Sequence, residues 1–168
     1  MVVNMTIVDP VSLLLGLPDV AYNFLYRPPS SVMEYLIFYA ASREVTVAHT
    51  LHRHFWWYNN ILWLEDIPKS IGIVVALSGR DEILNPTAIA EYVLFCKKNR
   101  SQPSVTDQSE STLRNSADLA LRPSSLKLAP MRELFWDKFS HGQFLLHKSA
   151  QSELIAAIAL NEKQICVI

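Results

Sequence analysis

The sequence predicts an α/β fold of about three parallel strands with flanking helices and a helical insertion. Three observations lead there. An apolar, β-branched run opens the chain. A second run, Ile71 to Leu77, is followed by turn residues and then by a helical stretch. The order strand, loop, helix is that of a βαβ unit. A third short apolar run, Glu133-Leu134-Phe135-Trp136, precedes a last helical segment.

The first run, Val2, Val3, Met5, Ile7 and Val8, reads as a strand buried on both faces. It stops at Asp9-Pro10, because proline has no amide hydrogen for a ladder and restricts the residue before it. From 11 to 68 only helical periodicities appear, and this stretch is expected to form a helical cap. Ser31 is placed to cap a helix in which Val32, Tyr35, Leu36, Tyr39 and Ala40 recur at three- and four-residue intervals. The aromatic stretch from Phe55 to Tyr58, with Ile61, Leu62 and Trp63, is expected to add another helix or two.

Ile71 to Leu77 is the clearest strand and reads as central and parallel; Ser78-Gly79-Arg80-Asp81 ends it. Asn85-Pro86-Thr87 starts a helix through about Cys96, since proline early in a helix loses no hydrogen bond. Residues 97–125 are rich in Ser, Thr, Gln and Asn and nearly free of aromatics, which predicts a disordered insertion. The strand around 133–136 is followed by Ser140-His141-Gly142. A final helix from about Ser149 to Asn161 carries Leu154, Ile155, Ile158 and Ala159 on one face.

Composition narrows the function classes. Half of the residues are hydrophobic and 18% charged, enough apolar material for one sizeable core in 168 residues. A formal charge of −1 with scattered basic residues argues against nucleic acid as a partner. Cys96 and Cys166 are isolated thiols, and no signal-peptide pattern opens the chain, so a reducing, cytoplasmic setting is the default. Only two residues follow Cys166, one short of a prenylation box. Charges at Asp9, Asp19, Arg27, Glu34, Arg43 and Glu44 interrupt the apolar stretches, so no membrane-spanning segment is expected.

Several chemistries are excluded by arithmetic. The four glycines stand at 16, 72, 79 and 142, and no pair is two, four or five apart. GxGxxG, GxSxG and Walker A loops are therefore all impossible within the chain. No cofactor is expected. His49, His52 and His54, with Glu65 and Asp66 nearby, superficially resemble a metal set, but spacings of three and two do not bring three imidazoles onto one helical face. Trp56, Trp57, Tyr58 and Trp63 read as core or pocket wall.

Two positive candidates remain. Asp81 ends the best strand, where open α/β sheets place ligands and catalytic groups; taken alone it also suits an Asx turn or a helix cap. His141, between the last strand and the last helix, can exchange protons near neutrality, although a lone loop histidine is commonly unremarkable. His147 is a weaker rival that reads as a surface residue.

In this order the pieces resemble the second half of the α/β-hydrolase family: a strand ending in Asp9-Pro10, a helical cap, a strand ending in Leu77-Ser78-Gly79-Arg80-Asp81, and a terminal strand before Ser140-His141-Gly142. Val8-Asp9-Pro10-Val11 and the stretch from Pro18 to Arg27 are similar to hydrolase-like proteins of fungi and other eukaryotic microbes. The resemblance implies that Asp81 and His141 are the acid and base of a Ser-His-Asp triad acting on an ester or amide. It also implies a small apolar ester-like substrate under the cap. The serine elbow of that family would fall before Met1, so the chain is expected to be one piece of a larger hydrolase or a truncated product, inactive alone. A noncatalytic scaffold that binds a partner or small molecule is the alternative expectation.

Overall fold

The computed structural model describes residues 2–101 and 128–166. Three strands, β1 (Asn4–Val8), β2 (Gly72–Ser78) and β3 (Met131–Trp136), form one parallel sheet in the order β1-β2-β3. Ile7 pairs with Val75, and Val75 with Glu133. The parallel register brings all three carboxyl ends to one edge of the sheet. The α/β class is therefore observed.

β2 is central because its seven residues, GIVVALS, are buried throughout. Ile73, Val75 and Leu77 face a core that includes Leu13, Leu64, Ile89 and Val93, while Ala76 faces a smaller one with Trp136 and Ala150. Each buried aliphatic side chain contributes about 1.5–3 kcal/mol relative to exposure. β1 departs from expectation. Its residues are only half-buried, and Val2 and Val3 are 66% and 42% exposed. Among the described residues it has a neighbour on one side only, so its outer edge stays unpaired.

The stretch between β1 and β2 is helical but shorter in regular structure than its periodicity suggests. It holds α1 (Pro18–Leu25), α2 (Val32–Ile37) and α3 (Val45–Arg53). Ser31 caps α2 as expected: it accepts from the Glu34 amide while the Glu34 carboxylate reaches back to the Ser31 amide. After Ile37 the helix widens into a π-helical turn, Phe38–Ser42. The aromatic stretch yields only the 3₁₀ turn Trp57–Asn59. There the Asn60 side chain donates to the Trp56 carbonyl at 2.9 Å, a local bond that competes with helix propagation.

α4 (Pro86–Arg100) begins with Asn85 as cap and Pro86 in its first turn. It continues four residues past Cys96, so 97–100, expected to be disordered, are helical. The cause is Arg100, which is buried and donates to the carbonyls of Ile67, Pro68 and Ile71. Residues 102–125 of the predicted insertion lie outside the described residues. α5 (Lys148–Cys166) presents Ala150, Leu154, Ala157 and Asn161 inward. Ile155 is 65% exposed, so the inward stripe is rotated from the expected Leu154-Ile155-Ile158-Ala159 face. No helix among the described residues is long and apolar enough to cross a membrane.

Candidate active site

Each strand delivers one polar residue to the carboxyl edge. β1 runs into Asp9, β2 into the Gly79-Arg80-Asp81 turn, and β3 into a loop ending at His141. The latter two are stitched together by backbone bonds, Gly79 N to Trp136 O at 2.8 Å and Arg80 N to Phe139 O at 2.9 Å. A side chain at Gly79 would meet the Asp137 Cα at 2.8 Å, so this approach requires glycine.

Asp81 and His141 come together. His141 Nδ1 lies 2.6 Å from Asp81 Oδ2, with the Asp81 side chain 1% exposed and that of His141 21%. An ionised carboxylate only accepts, so Nδ1–H is the donor and the neutral ring keeps its lone pair on Nε2. Nε2 has no hydrogen-bond partner among the described residues. The second Asp81 oxygen accepts from the Ile83 and Leu84 amides at 2.8 and 3.0 Å. The Asx-turn reading of Asp81 and its pairing with histidine thus hold together, one through each oxygen.

Burial alone would lower the His141 pKa by disfavouring the charged ring. The hydrogen bond and charge of Asp81, with the charges of Asp9 and Glu82, outweigh it and leave the pKa above the ordinary histidine value. The protonated ring is thus held more tightly than in a free histidine.

Asp9, read from sequence only as a strand terminator, is the residue the reading missed. Its carboxylate is buried and accepts from Ser78 N at 2.8 Å, Ser78 Oγ at 2.9 Å and Gly142 N at 2.9 Å. The available signal was the one used for Asp81, an aspartate at the end of a predicted parallel strand. Asp9, Asp81 and His141 offer atoms within 4.8 Å of one another, the one such cluster among the described residues. N–H and O–H donors already engage both carboxylates, which leaves little capacity for a cation.

The His49 set does not assemble. His49 lies tilted against His54, His52 binds the Ala48 carbonyl, and Glu65 accepts from the Tyr92 hydroxyl. His147 stacks on Phe139, with ring centroids 4.7 Å apart. Cys96 is a buried free thiol pushed up to about 11, chiefly by burial, and is not poised as a nucleophile.

An open groove of about 710 Å³ reaches Ser140 and Gln143 in the histidine loop, though His141 itself is not part of its lining. Val32, Tyr35, Leu36 and Tyr39 form its cap side; Ser140 and Gln143, which flank His141 in the chain, belong to the other. Of the aromatics expected around a substrate, tyrosines take part. Trp56, Trp57 and Trp63 are outside the lining, and Trp57 lies over Gly16 instead. Comparison of the chain with family models, curated proteins and solved structures finds no match.

Proposed function

We propose that the Asp81–His141 pair is the acid–base half of a serine-hydrolase relay, carried on the C-terminal part of an α/β-hydrolase scaffold. The observation that carries this reading is the 2.6 Å contact at the carboxyl edge of a parallel sheet, with Nε2 left unpaired. In such a relay His141 Nε2 takes the proton of an attacking hydroxyl and returns it to the leaving group. Asp81 holds the tautomer and stabilises the imidazolium. The groove that reaches Ser140 and Gln143, walled by Val32, Leu36, Tyr35 and Tyr39, suits an apolar ester or amide.

The nucleophile must come from elsewhere, since no glycine-flanked serine exists in these 168 residues. Without it nearly the whole covalent route is lost, because triad members act as a unit. The chain alone is therefore expected neither to turn over an ester nor to be labelled by a serine-directed fluorophosphonate. Supplied with a segment that carries a serine elbow, it should be labelled, and His141→Gln should lower labelling by about 10³-fold or more. Labelling that ignores His141→Gln would sink the proposal.

The second reading is a noncatalytic scaffold that binds a partner or small molecule. It is favoured by one observation: among the described residues no hydroxyl or thiol reaches Nε2. An upstream region that carries no nucleophile would decide for it.

A further inference from the structure

The histidine loop is held in an unusual way. Three successive amides, at 140, 141 and 142, each end on a side-chain oxygen: Gln143 Oε1 at 2.8 Å, Glu82 Oε2 at 3.3 Å and Asp9 Oδ2 at 2.9 Å. Of these acceptors only Asp9 is buried, and only Asp9 also grips β2, through both the amide and the hydroxyl of Ser78. It is the point where the ends of all three strands meet.

The backbone shows the cost of putting it there. Asp9 has φ 43°, in the left-handed region that non-glycine residues seldom occupy. Such strain persists only where the surroundings over-determine it, and it concentrates at functional sites. Its hydrogen-bond partner Gly142 is also left-handed, at φ 68°, in open space where a Cβ would meet nothing. A strained aspartate just after β1 and a left-handed glycine in the loop after β3 are thus joined by one hydrogen bond next to the imidazole.

We infer that Asp9 is a positioning residue: its buried carboxylate fixes the loop after β3 so that His141 stays on Asp81, and it places a second negative charge beside the imidazole. This rests on the reading of Asp81 and His141 as a proton-relay pair. The charged groups facing His141 are Asp9 from the end of β1 and Asp81 and Glu82 from the turn after β2. The Arg27 guanidinium engages the Glu82 carbonyl and the Glu34 carboxylate.

The test is an NMR titration of the His141 imidazole in the 168-residue chain, in Asp9→Asn and in Asp81→Asn, with amide exchange of Gly142 followed in parallel. Asp9→Asn keeps the shape but removes the charge and one acceptor. It is expected to move the His141 midpoint to lower pH and to speed Gly142 exchange by about tenfold or more. If Asp81→Asn shifts the midpoint while Asp9→Asn changes neither midpoint nor exchange, the inference falls and the relay pair stands. If Asp9→Asn shifts it and Asp81→Asn does not, the relay pair falls and the positioning role falls with it. If neither acts, both fail. Should Asp9→Asn not fold, the unmodified chain decides: a protected Gly142 amide supports the inference, and water-like exchange overturns it.

Discussion

His141 Nδ1 and Asp81 Oδ2 stand 2.6 Å apart although sixty residues separate them in the chain. The contact exists because β2 and β3 are parallel neighbours whose carboxyl ends are tied by Gly79 N–Trp136 O and Arg80 N–Phe139 O bonds. Three expectations follow from the way this edge is built, and a fourth from the opposite end of β2.

Asp81 serves two amides as well as the imidazole. Asp81→Ala leaves the amides of buried Ile83 and Leu84 without their acceptor and should cost about 1–3 kcal/mol in urea unfolding. Asp81→Asn retains an oxygen for them and should cost less, while losing the charge that selects the tautomer. Equal losses in the two variants would refute the division of labour between the oxygens.

Stability should depend on pH through His141. Its native pKa is raised, so the folded state binds the proton more tightly than the unfolded chain does. The contribution is complete below the unfolded value of about 6.5 and is lost as pH rises through the native pKa. Urea midpoints should therefore fall above about pH 6.5, and His141→Gln should flatten that part of the profile.

Two glycines should differ. At Gly79 a Cβ would meet backbone, the Asp137 Cα at 2.8 Å and the Asp137 carbonyl at 3.0 Å. At Gly72 it would meet the ends of side chains, Ile165 Cδ1 at 2.7 Å and Asn161 Nδ2 at 2.8 Å, which yield more readily than backbone although Asn161 is buried and bonded to Asn4. Gly79→Ala should thus cost more, about 2–3 kcal/mol, and weaken the Asp81–His141 contact; thermal melts and the His141 midpoint report the two effects.

Arg100→Met keeps the apolar stem but strands the carbonyls of Ile67, Pro68 and Ile71. The expected loss is about 2–3 kcal/mol, with fraying of the end of α4 visible in amide exchange of 97–100. A neutral result would mean that water replaces the guanidinium without penalty.

Much of this architecture could be read in one dimension. Ile71 to Leu77 is an unbroken apolar run that only a doubly covered strand can bury, and it forms β2. Ser31 marks the start of α2, and the structure adds Glu34 as the second half of a capping box. Asp81 and His141 stood out by their places after predicted strands. The end of α4 was misread because polarity changes at Lys97, whereas the helix follows Arg100 into the protein. The aromatic stretch was misread because apolar spacing does not register the turn that Asn60 closes with Trp56.

Local features thus determined what local energetics control: the strands, the caps, the exclusion of glycine-loop and glycine-elbow chemistries, and the placing of an acid and a base after successive strands. The tertiary structure decided which groups meet. Asp9 is the clearest case, since its partners Ser78 and Gly142 lie 69 and 133 residues away and meet it only when three parallel strands end at one edge. Hydrogen bonds select partners by distance and angle in space, and no spacing along the chain encodes that before the sheet sets its register.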